Sequence, residues 1–286
     1  MKRDALLLSL RLSVDYSTKH GVLRDIALNV ERGEIVGLVG HSGSGKSTLA
    51  LAILRLLQTK GAKARGQIIF RGADLFSLTE KELRALRGCD ISIVLQSPLT
   101  SLNPALTIGT QLNEAWHAHA NSSSAERLGA IQEALRNVSL PAEREFLKRR
   151  PSQLSVGQAQ RVIIAMAILH RPALLIADEA TSALDTITQS EILALFARLN
   201  RELGMAILYI SHDLLSVAAL SHRIAILHDG KILETGTPEK IFGAPEHEYT
   251  RKLVAALPNR PKGLSGETAP APSQSEERLP EKMFAT

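Results

Sequence analysis

Short apolar runs separated by glycine-containing turns open this chain. The runs at residues 6–14, 24–30 and 34–39 predict three strands. Helical periodicity follows them and is predicted to end near residues 58–61. The first apolar run lacks a small-residue cleavage site and is interrupted by charged residues, so we expect a strand there and not a signal peptide.

The second half of the chain repeats this alternation. Apolar runs at residues 173–177, 205–210 and 223–227 predict strands, and residues 188–203 show helical periodicity. Strands that alternate with helices favour a mainly parallel sheet covered by helices. Between the halves, from about residue 104 to 170, the pattern is helical almost throughout. The sequence therefore predicts an α/β fold with an inserted helical subdomain.

The C-terminal residues differ in composition from the rest. Residues 258–286 are rich in Pro, Gly, Ser, Glu and Lys and contain little that a core could bury. We expect a disordered tail there, which leaves residues 1–257 as one folded domain. No run approaches the roughly 20 apolar residues that a membrane span requires.

A complete phosphate-loop pattern, GxxxxGK[ST], lies between a predicted strand and a predicted helix. It consists of Gly40, His41, Ser42, Gly43, Ser44, Gly45, Lys46 and Ser47, with Thr48 following. Glycines let successive backbone N–H groups turn towards a phosphate, and the helix N-terminus adds positive partial charge. Lys46 would neutralise the β- and γ-phosphates, and the Ser47 hydroxyl would hold Mg²⁺. A chance Gly/Ser-rich turn is the alternative, but the flanking strand and helix favour binding of a nucleoside triphosphate.

Two adjacent carboxylates, Asp178 and Glu179, end the apolar run that begins at residue 173. At a strand end the chain turns, and both side chains can reach one site. Asp178 would hold Mg²⁺ through water, and Glu179 would polarise the attacking water as general base. A solvated pair that opens a loop is the simpler interpretation, but the phosphate loop in the same chain favours the catalytic one.

Charge and cysteine content narrow the function further. The net charge of +5 is carried by scattered basic residues, and aromatic residues make up 3% of the chain. Few side chains are thus available to stack on bases, so we expect no nucleic-acid partner. The single cysteine, Cys89, excludes a disulfide framework within the chain and favours a cytoplasmic location.

Further motifs resemble those of ATP-binding cassette (ABC) ATPases over about residues 5–257. The run LSVGQ at residues 154–158 resembles the family's LSGGQ signature, although Val156 replaces glycine. The other matches are the D-loop at residues 182–185, the switch histidine His212, the Q-loop glutamine Gln96 and the adenine-stacking aromatic Tyr16.

This resemblance implies roles for those residues. In the family two ATPases meet head to tail, so the signature of one completes the phosphate site of the other. Ser155, Gly157 and Gln158 would therefore face the partner's nucleotide, as would Asp185 of the D-loop. The resemblance further implies ATP and Mg²⁺ as ligands, a γ-phosphate contact from His212, and a role for Gln96 in catalysis and Mg²⁺ binding. It also implies N-terminal antiparallel strands beside the parallel sheet.

Two segments resemble one branch of the family. QSPLTSLNP at residues 96–104 and PEHEYTRKL at residues 245–253 are similar to the ATPases of peptide- and nickel-type importers. That branch implies membrane permease subunits, a second and paralogous ATPase, and a periplasmic solute-binding protein. It places the chain at the cytoplasmic face of a bacterial inner membrane. Because the tail lacks the cysteines of many peptide importers, the solute stays open. An ATP-gated module of a carbon–phosphorus lyase-type assembly is the alternative.

Overall fold

The computed structural model describes residues 5–57, 61–120 and 123–257. The predicted disorder of residues 258–286, and with it the C-terminal boundary of the domain, lies outside the described residues.

An antiparallel sheet forms the N-terminal layer. Among the described residues it has four strands in the order β2-β1-β4-β5. Their bounds are β1 Leu6–Tyr16, β2 Leu23–Glu31, β4 Ala62–Phe70 and β5 Ala73–Asp74. Buried and exposed positions alternate along most of β2, because one face of this sheet packs on the core and the other meets water.

A second sheet, largely parallel, forms the centre of the molecule. Its described strands run in the order β10-β9-β3-β8-β7-β6, and only the β10–β9 pair is antiparallel. Their bounds are β3 Ile35–Val39, β6 Ile91–Val94, β7 Leu174–Asp178, β8 Ala206–Ser211, β9 Arg223–His228 and β10 Lys231–Gly236. Every residue of β3, β7 and β8 is buried, as expected of parallel strands covered on both faces.

Helix α1, Lys46–Ile53, begins at the end of the phosphate loop and belongs to the core that joins the two sheets. This core contains Leu49 and Ile53 of α1, Leu10 of β1 and Leu208 of β8, all at most 3% exposed. Burial of apolar side chains at this density is the main source of stability for such a layered fold.

The segment between β6 and β7 is helical, as the periodicity predicts. Its described helices are α3 Pro98–Ser101, α4 Ile108–His117, α5 Ser124–Asn137, α6 Arg144–Leu147 and α7 Val156–Ile168. Leu112 of α4, Leu135 of α5 and Val162 of α7 are fully buried in the core cluster on the other side of the parallel sheet. This segment therefore shares one continuous core with the sheet.

The remaining helices are α2 Glu80–Leu86, α8 Thr186–Leu203, α9 Leu214–Leu220, α10 Pro238–Gly243 and α11 Glu248–Ala255. A capping box formed by Thr79 and Glu82 starts α2. Within the residues that the structure describes, no helix combines the length and apolarity needed to cross a membrane.

Candidate nucleotide-binding site

The predicted phosphate-site residues collect at one edge of the parallel sheet. Strands β6, β7, β8 and β3 are neighbours in that order and run in the same direction. The phosphate loop follows β3, Glu179 follows β7, and His212 follows β8. The carboxyl ends of adjacent parallel strands meet at one edge, where open α/β sheets bind their ligands. Residues distant in sequence are thereby brought together.

The phosphate loop requires glycine at two positions for different reasons. A Cβ on Gly40 would lie 2.4 Å from the carbonyl oxygen of Leu227, because the loop passes close to β9. Gly45 has φ +110° and caps α1, and a Cβ there would lie 2.5 Å from a methyl carbon of Leu23. The left-handed backbone at Gly45 directs the chain into the helix.

Lys46 is held beneath this loop. Its side chain is 4% exposed, and Nζ donates to the carbonyl oxygens of Gly40 at 2.8 Å and of His41 at 3.1 Å. The same Nζ lies 3.4 Å from Oε1 of Glu179. A buried ammonium group fixed in this way is preorganised to meet a phosphate at low cost in side-chain entropy.

Glu179 stands between the lysine and the histidine. Its Oε2 lies 3.5 Å from Nδ1 of His212, whose side chain is 57% exposed. The backbone of Glu179 has φ +50°, and its N–H donates to the carbonyl oxygen of Ile210 on β8. A non-glycine residue in the left-handed region is uncommon and clusters at functional sites. This backbone directs the carboxylate towards the phosphate loop.

Asp178 provides a buried carboxylate below the loop. Burial raises the pKa of Asp178, and a hydrogen bond with the Ser47 side chain acts in the opposite direction. Among the described residues, its Oδ1 has no hydrogen-bond partner although it is buried. A carboxylate oxygen that is desolvated and unpaired fits a cation ligand, and oxygen donors are those that Mg²⁺ prefers. The oxygen donors of Asp178 and Ser47 therefore fit Mg²⁺.

Tyr16 lies at the end of β1, next to the start of α1. Its hydroxyl is 3.3 Å from Oγ1 of Thr48. A cavity of about 660 Å³ opens beside it, with Ala52, Ala62 and Phe76 among the lining residues. This aromatic ring lies beside an open cavity and contacts Thr48, the residue that follows the phosphate-loop motif. It is therefore well placed to stack on a base.

Gln96 stands apart from this group. Gln96 is exposed and lies two residues beyond the end of β6. Because β6 pairs with β7, this end of β6 is at the same edge of the sheet. In the part of the chain that the structure describes, no hydrogen bond or ion pair joins Gln96 to the phosphate-site residues. The structure thus brings Lys46, Glu179 and His212 together and leaves Gln96 beside them.

The signature residues form a second site on the surface. Ser155 is the N-cap of α7, and its Oγ accepts the N–H of Gln158 at 3.2 Å. The Gln158 side chain in turn accepts the Ser155 N–H at 3.1 Å, which completes a capping box. The hydroxyl proton of Ser155 keeps its freedom to donate to an anion at this helix N-terminus.

The D-loop packs beside the signature. Asp185 caps α8 by accepting the N–H groups of Ile187 and Thr188, and the Thr188 hydroxyl donates to its second oxygen at 2.7 Å. These hydrogen bonds, the backbone N–H of Thr188 first, lower the pKa of Asp185. A Cβ on Gly157 would lie 2.9 Å from the methyl carbon of Thr188. The two helix N-termini are therefore in close contact.

Comparison with known proteins identifies this arrangement. The family model described as ABC transporter matches residues 23–182. The chain belongs to the ABC transporter family. The predicted resemblance is thereby confirmed, and the phosphate loop, Asp178 and the signature of this cassette all lie within the match.

Relatives of the cassette point in the same direction. It is 42% identical to "Glutathione import ATP-binding protein GsiA" of Escherichia coli (strain K12) over 84% of this chain and 40% of that protein. The corresponding protein of Salmonella typhimurium is also 42% identical, over 82% of this chain and 39% of that protein. The chain thus spans about two fifths of the length of these curated relatives.

Solved structures share the predicted ABC-type α/β fold. A dimeric post-hydrolysis structure of the ATP-binding cassette MJ0796 bound to ADP and Pi has a TM-score of 0.69 and 30% identity. The match covers 81% of this chain and 99% of the MJ0796 chain. The structure of cbiO1 from Clostridium perfringens, part of the ABC transporter complex cbiONQ, has a TM-score of 0.73 and 27% identity, with 89% and 96% covered.

Sequence reasoning missed the contribution of the C-terminal helix of this ABC cassette to the site. A cavity of about 490 Å³ lies between the phosphate loop, Glu179, His212 and two residues of α11, Tyr249 and Leu253. The Tyr249 ring also stacks on His228 at the end of β9, with centroids 3.9 Å apart. The motif at residues 245–253 indicated a branch of the family but carried no signal that it borders the phosphate site.

Proposed function

We propose that this chain is the ATP-hydrolysing subunit of a bacterial ABC importer that couples ATP binding and hydrolysis to uptake of peptides, nickel or a related small solute. The observation that carries the proposal is the convergence of Lys46, Glu179 and His212 within 3.5 Å contacts at the end of the phosphate loop. The 42% identity to glutathione import ATP-binding proteins supports an import function.

Hydrolysis uses the groups around the γ-phosphate position. Lys46 neutralises charge on the β- and γ-phosphates, and backbone N–H groups of residues 40–48 surround them. Glu179 accepts a proton from the attacking water, and His212 donates a hydrogen bond to the γ-phosphate and orients that water. The 57% exposure of His212 leaves its ring able to reach both groups.

Ser47 and Asp178 would hold Mg²⁺, with Gln96 as a further ligand. The unpaired Oδ1 of Asp178 supports this assignment. When bound, Mg²⁺ neutralises charge on the phosphate oxygens and fixes their geometry. Tyr16 stacks on the adenine ring beside the 660 Å³ cavity.

A second cassette completes the site. Ser155, Gly157, Gln158 and Asp185 lie on the surface around the N-termini of α7 and α8, where they are able to meet the nucleotide of a head-to-tail partner. Val156 is 40% exposed and would sit in that interface. We propose a paralogous ATPase as the partner, and the dimeric structure of MJ0796 supports pairing of such cassettes.

The membrane subunit would dock in a groove beside the helical insertion. This groove has a volume of about 300 Å³ and is lined mainly by apolar side chains, including Leu56, Ile93, Ile163 and Met166. Leu99 of α3, in the Q-loop segment, is 51% exposed. Ser101 of the same helix lines the groove, and an exposed leucine two residues from an apolar groove suits a helix from a permease subunit. The chain would then lie at the cytoplasmic face of the inner membrane, and a periplasmic solute-binding protein would deliver the solute.

Affinity purification from detergent-solubilised membranes tests this assignment. The chain would be tagged at its C-terminus, and the co-eluting proteins would be identified by mass spectrometry. Polytopic membrane subunits and a second ATPase are expected, and their loss in a Leu99→Glu variant would locate the docking surface. Leu128→Glu, a change at an exposed leucine on α5, is the matched control. Recovery of soluble partners alone would contradict the importer and favour a carbon–phosphorus lyase-type assembly.

A further inference from the structure

We propose that His41, His228 and Asp229 form a binding site for a divalent transition metal. Zn²⁺ is the ion used to test it. This site is distinct from the Mg²⁺ site, because its ligands are two imidazoles and one carboxylate. Nitrogen donors of this kind suit zinc and its neighbours, whereas Mg²⁺ takes oxygen ligands.

The three side chains converge from two loops. His41 belongs to the phosphate loop, and His228 and Asp229 lie at the turn between β9 and β10. Nε2 of His41 is 3.5 Å from Oδ1 of Asp229, and Nε2 of His228 is 3.5 Å from Oδ2 of the same carboxylate. One ligand atom from each residue lies within 4.8 Å of the other two.

These separations are close to those of a metal centre. For metal–ligand bonds of about 2.0–2.2 Å, two ligands of a tetrahedron are about 3.3–3.6 Å apart. Each imidazole nitrogen lies 3.5 Å from a different oxygen of the Asp229 carboxylate, so both nitrogen–oxygen distances fall in that range, and a small rotation of side chains would bring both nitrogens to the tetrahedral distance from one oxygen. Three protein ligands leave one tetrahedral position for water or another small ligand.

The surroundings restrain two of the three ligands. The His228 ring is stacked on Tyr249 of α11. The His41 ring contacts the His228 ring edge-on, with centroids 5.0 Å apart. Asp229 has φ +45° at the turn, a conformation that aspartate and asparagine tolerate better than most residues. Ring stacking and turn geometry therefore hold His228 and Asp229 in place before a metal binds, which lowers the entropy cost of binding.

Metal binding at this position would connect the phosphate loop to the rest of the sheet. The carbonyl oxygen of His41 accepts a hydrogen bond from Lys46, so a metal on the His41 ring fixes the residue that helps to hold the catalytic lysine. By linkage, nucleotide binding and metal binding would then affect each other equally.

Zn²⁺ binding by untagged, nucleotide-free protein tests the site, measured by competition with a chromophoric chelator. We expect one saturable site, and its affinity should fall at least about tenfold in each of three variants. His41→Gln removes one ligand, His228→Phe keeps the stacked ring, and Asp229→Asn keeps a residue that tolerates the turn. His20→Gln, at an exposed histidine 3.8 Å from Asp15, is the control and should bind Zn²⁺ like the parent chain.

Each outcome of the Zn²⁺ titrations either supports or overturns the proposed metal site. Weakened binding in the three variants and unchanged binding in His20→Gln support the site. Absence of saturable binding in the parent chain overturns it, as does parent-like affinity in any folded variant of the three, which would place the metal elsewhere. Thermal unfolding without metal checks that each variant is folded, and any one folded variant is sufficient to decide.

Discussion

The ammonium group of Lys46 lies 3.4 Å from a carboxylate oxygen of Glu179, at the meeting point of the loops that follow β3 and β7. The lysine also donates to two carbonyl oxygens of the phosphate loop. In the mechanism proposed above, a triphosphate bound there would replace the carboxylate as the ionic partner of Lys46. Glu179 would then be free to turn towards the attacking water, on the side where His212 lies.

Replacement of Lys46 by methionine should weaken ATP binding by about ten- to a hundredfold. Hydrogen bonds to charged groups contribute about 1.5–3 kcal/mol, and the variant loses such contacts to the phosphates. Titration with a fluorescent ATP analogue measures the effect. Lys148→Met, at an exposed lysine of the helical insertion, is the control. Equal affinities of Lys46→Met and the parent chain would contradict the phosphate-loop assignment.

The Asp178→Asn substitution should raise the stability of the nucleotide-free protein and weaken its binding of Mg²⁺-ATP. Burial raises the pKa of Asp178, so its ionised form is disfavoured in the folded chain. Its contribution to stability therefore falls as pH rises from the unfolded-state pKa through the higher folded-state pKa. At neutral pH the neutral asparagine should stabilise the nucleotide-free protein, because it removes a charge that burial disfavours.

The same variant should lose the stabilisation that Mg²⁺-ATP gives to the parent chain, because a ligand that binds only the folded state raises the melting temperature. Thermal unfolding with and without Mg²⁺-ATP measures both effects. In the parent chain, the Mg²⁺-dependent part of ATP affinity should decline as pH falls through the raised pKa of Asp178, since protons compete for the carboxylate. A variant that retains full Mg²⁺-ATP stabilisation would exclude Asp178 as a metal donor.

The phosphate loop and the two carboxylates were predictable because each is a local pattern at the end of a buried strand. The end of α1 was not predictable in this way. Apolar residues continue beyond the helix, but it ends at Ile53, and Arg55 takes φ +53°. The carbonyl oxygens of Leu54 and Arg55 accept hydrogen bonds from Arg87, which is more than 30 residues away in the chain. Tertiary contacts of this kind override local propensity.

The positions of Tyr249 and His228 beside the site were not predictable from sequence, for a related reason. The stacking of Tyr249 on His228, and the approach of both to the phosphate loop, depend on how α11 packs against the β9–β10 turn. Neither residue belongs to a pattern whose spacing encodes that contact. Residues that act in one loop can be recognised from sequence, whereas residues from separate elements need the fold.

Tyr16 should contribute to nucleotide affinity through its ring. Tyr16→Ala should weaken ATP binding by about tenfold, since stacking of a base on an aromatic side chain contributes about 1–3 kcal/mol. Tyr16→Phe keeps the ring and loses only the 3.3 Å contact with Thr48, so its affinity should stay close to that of the parent chain. Isothermal titration with ATP distinguishes the two. Equal losses in both variants would contradict stacking as the main contribution.

Gly157→Ala should lower ATPase activity severalfold without changing the affinity of the isolated chain for ATP. The added Cβ would lie 2.9 Å from the Thr188 methyl, and Thr188 is held by its hydrogen bond to Asp185. The signature helix must then shift, and in the proposed head-to-tail dimer the affected nucleotide would be the partner's. Gly129→Ala, at a helical glycine with open space around it, is the control and should be neutral or stabilising. Similar activity of both variants would contradict a role for this contact.

Because Glu179 is the proposed general base, the first measurement is phosphate release by the Glu179→Gln variant in the presence of Mg²⁺-ATP. The glutamine keeps the shape of the side chain and removes the charge that competes for Lys46. We predict ATP affinity equal to or above that of the parent chain, with hydrolysis reduced at least about a hundredfold. Hydrolysis near the parent rate, in protein that binds ATP normally, would exclude Glu179 as the general base.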